Sequence, residues 1–189
     1  MRAVRSPPPS RLTCRSMWPN QSGTDWLFNE ANLAPYGDGM TRMDIAALAP
    51  AAYKALVTLD SRAHRGALPA GLLDLVKLRV SQVNGCAYCV DSHSHDAVKG
   101  GETPARLYAV AAWDEGPFFS PAERAAFALA ESMTRLSEGA PRVPDEVWAE
   151  VRQHFGDEDL AQLVMVVTTI NAWNRVCVTV RMVPESFAG

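Results

Sequence analysis

The chain carries no surplus of positive charge: 18 Lys and Arg stand against 21 Asp and Glu, a net charge of −3. Without a basic stripe there is little to hold a phosphate backbone or an anionic lipid surface, so nucleic acid and membrane are not expected partners. Cysteine is scarce, at four residues, and a body of about 150 residues buries roughly 70% of its unfolded surface without disulfide staples. No stretch shows the strict polar–apolar alternation of a half-buried strand. What remains is ordinary: 48% hydrophobic and 21% charged residues describe a soluble globular domain and exclude collagen, coiled coil and a wholly disordered chain.

Residues 1–39 differ from the rest. They hold five prolines (Pro7, Pro8, Pro9, Pro19, Pro35) of the chain's 13 and lack any helical or alternating apolar run, which reads as a disordered N-terminal extension. Arg2, Arg5, Arg11 and Arg15 precede any acid there, yet no apolar core of a signal peptide follows them. The expectation is a native start at Met40 and a working domain over 40–189.

From Met40 onward apolar residues recur at three and four, so the body is expected to be all-α, a compact bundle of six to seven helices. Ile45 to about Arg62 reads as the first. Leu72, Leu73, Leu75, Val76, Leu78, Val80 and Val83 form the inner face of the next, which stops at Asn84-Gly85. A helix then starts at the cysteines and ends at Gly100-Gly101. Thr103-Pro104 opens another. Ser120 with Glu123 is a capping box for a helix to about Leu136, and Pro144-Asp145-Glu146 starts one closed at Gly156. The last runs from Asp157 to about Arg181 before Pro184. It is apolar around most of its circumference and, at about 36 Å, long enough to cross a membrane. Asn171, Asn174 and Arg175 in its middle favour a central bundle helix or a subunit interface.

Cys86-Ala87-Tyr88-Cys89 sits at a helix start, where unpaired amides and the helix dipole stabilise a thiolate and bring a thiol pKa from about 8.5 toward about 7 or below. Two sulfurs three residues apart share one helical face and can meet. His93 projects within about 40° of Cys89 and about 20° of Cys86, so one imidazole covers both, whereas His95 turns about 120° and 180° away. Neutral, His93 accepts a thiol proton; charged, it holds the thiolate. Other readings of the pair are inert buried thiols and a zinc site of Cys86, Cys89, His93 and a carboxylate. Haem attachment fails because Val90 occupies the required histidine position. A thioredoxin fold fails because no strand precedes the motif.

The run Leu75-Val76-Lys77-Leu78-Arg79-Val80-Ser81-Gln82-Val83-Asn84-Gly85-Cys86-Ala87-Tyr88-Cys89-Val90-Asp91-Ser92-His93 resembles the core motif of the carboxymuconolactone decarboxylase family, in its alkylhydroperoxidase AhpD-like branch. Ala112-Trp113-Asp114-Glu115-Gly116-Pro117-Phe118-Phe119 and Asn171-Ala172-Trp173-Asn174-Arg175 are similar to further signatures of that branch, so the resemblance covers roughly Met40 to Pro184. It implies an AhpD-like peroxidase in which Cys89 attacks the peroxide, Cys86 resolves the sulfenic acid as a disulfide, and His93 belongs to a proton relay. The relay's end maps onto Asp74, where the family has a glutamate one methylene longer. Tyr88 stands where the family's hydroperoxidase often has histidine.

The resemblance further implies a hydroperoxide substrate, an external dithiol reductant of lipoyl or thioredoxin-like type, and a homo-oligomer, trimer or hexamer. No cofactor or metal is expected, and the dithiol fits the cytoplasm. Alternatives are a lactone- or carboxylate-acting decarboxylase relative using His93 as base, and a redox sensor without turnover. Cys177 and the tryptophans Trp113, Trp148 and Trp173 read as packing. Cys14 lies in the extension.

Overall fold

The computed structural model describes residues 41–136 and 142–187; the expectation for 1–39 and Cys14 lies outside them. Among the described residues there is no strand. The order is α1 (Ile45–Leu48), α2 (Pro50–Ala63), α3 (Ala70–Val83), α4 (Ala87–Lys99), α5 (Pro104–Ala109) with a 3₁₀ turn (Val110–Ala112), α6 (Pro121–Thr134), α7 (Asp145–His154), α8 (Asp157–Val180) and a last 3₁₀ turn (Glu185–Phe187). The helix expected from Ile45 is two helices. Pro50 has no amide to donate, so the chain breaks at Ala49 (φ −134°, ψ 56°) and restarts with proline in the first turn. Two of the later starts carry side-chain caps, whereas Pro69, Pro144 and Gly156 precede α3, α7 and α8 without one. Thr103 caps the Arg106 amide, and Ser120 and Glu123 form the reciprocal capping box. Gly101 adopts φ +94° after α4.

α8 is the axis of the bundle. It packs against α2, α3, α4, α6 and α7, and Leu163, Val166, Val167, Ile170 and Trp173 along it are buried. Its length and composition would let it cross a membrane; within the bundle, those buried residues are covered by the surrounding helices instead. The Trp173 indole meets the Tyr53 ring edge-on at 5.3 Å, and Phe127 of α6 takes Phe119 at 5.1 Å and Trp113 at 5.8 Å. Contacts of this kind add about 0.5–1.5 kcal/mol each beyond their buried area. Trp113 and Trp173 are thus packing residues, while Trp148 is 39% exposed.

Polar side chains on α8 fasten two loops. Gln162 Oε1 accepts the Leu68 amide at 3.2 Å, gripping the segment between α2 and α3. Farther along, Asn171 and Asn174 grip the turn between α3 and α4, which places the cysteines.

Candidate functional site

α3 ends in a Schellman-type turn: the Gly85 amide donates to Gln82 O at 3.2 Å and the Cys86 amide to Ser81 O at 3.0 Å, with Gly85 at φ +64°. The next residue, Cys86, is already the N-cap of α4. Asn84 Nδ2 donates to Asn171 Oδ1 at 2.9 Å and Asn174 Oδ1 at 2.8 Å. Asn174 Nδ2 donates to Ser81 Oγ at 3.1 Å, and Asn171 Nδ2 to Thr134 Oγ1 at 3.1 Å. Arg175 Nη1 donates back to Asn171 Oδ1 at 2.9 Å. Asn171 and Asn174, with Arg175 bonded to Asn171, therefore hold the turn that carries the first cysteine.

Three cysteines meet behind that turn. Cys86, Cys89 and Cys177 are each at most 1% exposed and carry free thiols, and their sulfurs all lie within 4.8 Å of one another. Cys177, one helical turn past Asn174, joins the pair that the spacing of the sequence identified; its Sγ also lies 3.7 Å from Met182 Sδ. Sequence periodicity marked Cys177 as buried. The signal that could have marked it as part of the site is its position three after Asn174, on the face that grips the cysteine turn.

The cluster polarises its members. Hydrogen bonds from the Cys177 and Cys89 thiols, helped by the Cys89 amide and Asn174, overcome burial and pull the Cys86 pKa down to about 4 from 9.0. For Cys89, a lowering contact with Cys177 is outweighed by Cys86, which claims the hydrogen bond, and by burial, so its pKa is raised. Cys177 is raised too, by donating to Cys86 and Cys89 and by burial. The surroundings thus favour a thiolate on Cys86, with the Cys89 and Cys177 thiols as its donors. Tyr88 and Tyr53 stand near enough to feel the sulfurs, and burial keeps both phenols neutral.

His93 is fully buried on α4. Burial, then the fields of Lys77 and His64, hold its pKa well below 6.5, so it is neutral near pH 7. Its Nδ1 lies 3.9 Å from Asp96 Oδ2. Asp74 forms an ion pair with Lys77, Oδ1 to Nζ 2.8 Å, both side chains nearly inaccessible. Close by, at the C-cap of α2, His64 Nδ1 faces the Asp60 carbonyl at 2.7 Å and its carboxylate at 3.7 Å, and burial raises the Asp60 pKa. His93 and Asp74 thus belong to a polar cluster of α2, α3 and α4 that includes Lys77, which sequence reasoning did not single out. His95, which the helical spacing turns away from the cysteines, faces solvent, its side chain 58% exposed and Nδ1 3.5 Å from Asp91 Oδ1.

The described residues offer the three sulfurs as a metal-capable group. That set suits a soft ion, not a hard one, and differs from the Cys86, Cys89, His93 and carboxylate zinc set by placing Cys177 beside the pair.

A model of the carboxymuconolactone decarboxylase family matches residues 50–132, which include Asp74, Cys86, Cys89 and His93. The uncharacterised protein YdfG of Bacillus subtilis is 39% identical over 137 residues, 72% of this chain and 92% of its own length. A protein of unknown function from Agrobacterium tumefaciens, whose name places it with the antioxidant defence protein AhpD, superposes with a TM-score of 0.73 at 31% identity, covering 77% of this chain and 98% of that one. The debrominase Bmp8 shares the fold at a TM-score of 0.66, with 20% identity over 75% of each chain.

Proposed function

The chain belongs to the carboxymuconolactone decarboxylase family, in its AhpD-like branch, and on that premise we propose that it reduces hydroperoxides with the Cys86–Cys89 dithiol. The observation that carries the reading is the sulfur geometry: Cys86 and Cys89 lie buried at the start of α4 with all three sulfurs within 4.8 Å of one another, in surroundings that lower the Cys86 pKa. A buried thiol with no such partner is a poor nucleophile.

The arrangement reconciles the resting charge on Cys86 with the attacking role that the resemblance gives Cys89. Cys86 takes the Cys89 proton, and the new Cys89 thiolate attacks the outer peroxide oxygen. The O–O bond breaks, the leaving alkoxide collects the proton from Cys86, and Cys89 becomes a sulfenic acid. Cys86, again a thiolate, attacks the Cys89 sulfur, and hydroxide leaves and is protonated to water. The sum is two thiols and one hydroperoxide converted to a disulfide, an alcohol and water. Neutral buried His93 and the Asp74–Lys77 pair line the proton path in this reading. An external dithiol, lipoyl-bearing or thioredoxin-like, reopens the disulfide in a homo-oligomeric, cytoplasmic enzyme.

Purified protein given cumene hydroperoxide and dithiothreitol should consume peroxide, while Cys89→Ser should be inactive and Cys86→Ser should form no Cys86–Cys89 disulfide. Equal peroxide loss in all three proteins would sink the reading. A disulfide that forms once without sustained turnover would mark a redox sensor.

A further inference from the structure

We propose that Cys177 is a third redox thiol of this site, able to close a disulfide with Cys89 that staples α4 to α8. The hydroperoxide reading supplies the natural oxidant for this step, and the sulfur geometry stands apart from it. All three sulfurs lie within 4.8 Å of one another. A disulfide needs about 2.05 Å, so the Cys89 and Cys177 sulfurs have less than about 3 Å to travel, and χ1 rotation moves a sulfur without moving the helix backbone. Both are sealed from solvent at 0% and 1% exposure. A sulfenic acid formed on Cys89 therefore has the Cys86 and Cys177 sulfurs at hand before any external thiol arrives.

The step balances. The S–O bond of the Cys89 sulfenic acid breaks as the Cys177 sulfur bonds to the Cys89 sulfur, and hydroxide leaves with the Cys177 proton as water. Cys86 wins this competition in the intact site because the donors around it keep it as the thiolate. Cys177 acts when Cys86 is absent or already oxidised, so that Cys89 is not left exposed to a second peroxide. The two disulfides differ mechanically: Cys86–Cys89 closes within the first turn of α4, whereas Cys89–Cys177 joins two helices.

The test uses the full chain with Cys86→Ser, and Cys86→Ala as a second background, each with its helical circular dichroism checked. One equivalent of hydrogen peroxide is added, free thiols are alkylated, and peptides are mapped by mass. A Cys89–Cys177 linked peptide is expected, with dimedone labelling of Cys89 at least tenfold below that of Cys86→Ser/Cys177→Ala. A parallel arm oxidises the same proteins with diamide, which couples two thiols without any peroxidase chemistry. A linked peptide with diamide alone would retain the third thiol and assign the activation of Cys89 to Cys86, whereas wild-type protein that forms no Cys86–Cys89 disulfide with hydrogen peroxide would overturn the hydroperoxide reading. Absence of the linked peptide in both arms, with equal dimedone labelling, would overturn the proposal.

Discussion

Asn84 and Asn174 are joined by a 2.8 Å hydrogen bond that spans 90 positions of sequence. It ties the turn before Cys86 to the helix that carries Cys177, and the same Asn174 amide also reaches Ser81 Oγ. Asn174 is 1% exposed, so its loss strands buried partners at about 1–3 kcal/mol each. Asn174→Ala should lower Tm by several degrees, at about 2–4 °C per kcal/mol for a chain of this size. It should also raise the pH at which Cys86 becomes alkylatable, because one donor to its thiolate is gone. An unchanged pH profile for iodoacetamide labelling would show that Asn174 positions the turn only.

The charge among the sulfurs can be located directly. With the Cys86 pKa near 4, reduced protein at pH 6 should show thiolate absorbance at 240 nm that persists in Cys89→Ser and disappears in Cys86→Ser. The folded value lies below the unfolded one, so the stability it contributes is present above about 9 and is lost as pH falls toward about 4. The advantage of reduced wild type over Cys86→Ala in urea midpoint should shrink across that interval. A difference that stays constant with pH would place the thiolate elsewhere.

Lys77 should be the costliest cation to remove. Its ion pair with Asp74 is 2.8 Å long and buried on both sides, and breaking such a pair from one side costs about 3–5 kcal/mol. Lys77→Met should be strongly destabilised, and Asp74→Asn/Lys77→Met should recover much of the loss. Lys77 also helps hold His93 neutral, so the His93 pKa should rise in the double variant, read from its imidazole resonances. The sign follows: below about 6.5 the unfolded chain binds a proton that buried His93 refuses, so wild-type stability falls with pH there, and less steeply in the variant.

Access to the sulfurs should depend on the C-terminal segment. Ser186 Oγ and its amide donate to the Asp91 carboxylate at 2.6 Å and 3.0 Å, Tyr88 Oη donates to Glu185 at 3.3 Å, and Met182 lies against Cys177. Asp91→Ala releases the first clasp at a partly exposed site. Thiol labelling by a bulky disulfide reagent should quicken several-fold with little change in Tm. An unchanged rate would mean that reagents enter by another route.

Helix punctuation was readable because its chemistry is local. Ser120 with Glu123, Thr103 with Pro104, and Asn84 with Gly85 announce themselves within four residues, as does the shared face of Cys86 and Cys89. The break at Pro50 was written in the chain too, but the apolar period ran across it. The partners of Asn171 and Asn174 lie some 90 positions away at Asn84, and no local pattern encodes that distance. Cys177 escaped for the same reason: a buried cysteine on an apolar helix looks like packing until a second helix brings two more sulfurs to it. Nothing in the local pattern marks Lys77, because only the fold shows that its charge is enclosed with Asp74.

α8 grips the 66–68 segment through Gln162, the cysteine turn through Asn171 and Asn174, and the dithiol through Cys177. Each grip depends on the angle at which its side chain leaves one continuous helix. Deleting a single residue between Gln162 and Cys177 would turn everything beyond it by about 100° and shift it about 1.5 Å along the axis. Any anchor before the deletion would then no longer be in phase with the third sulfur. Substitutions within this stretch can be absorbed one contact at a time, but a change in its length uncouples every contact before it from every contact after it, so the spacing along α8 is as much a part of the site as the cysteines are.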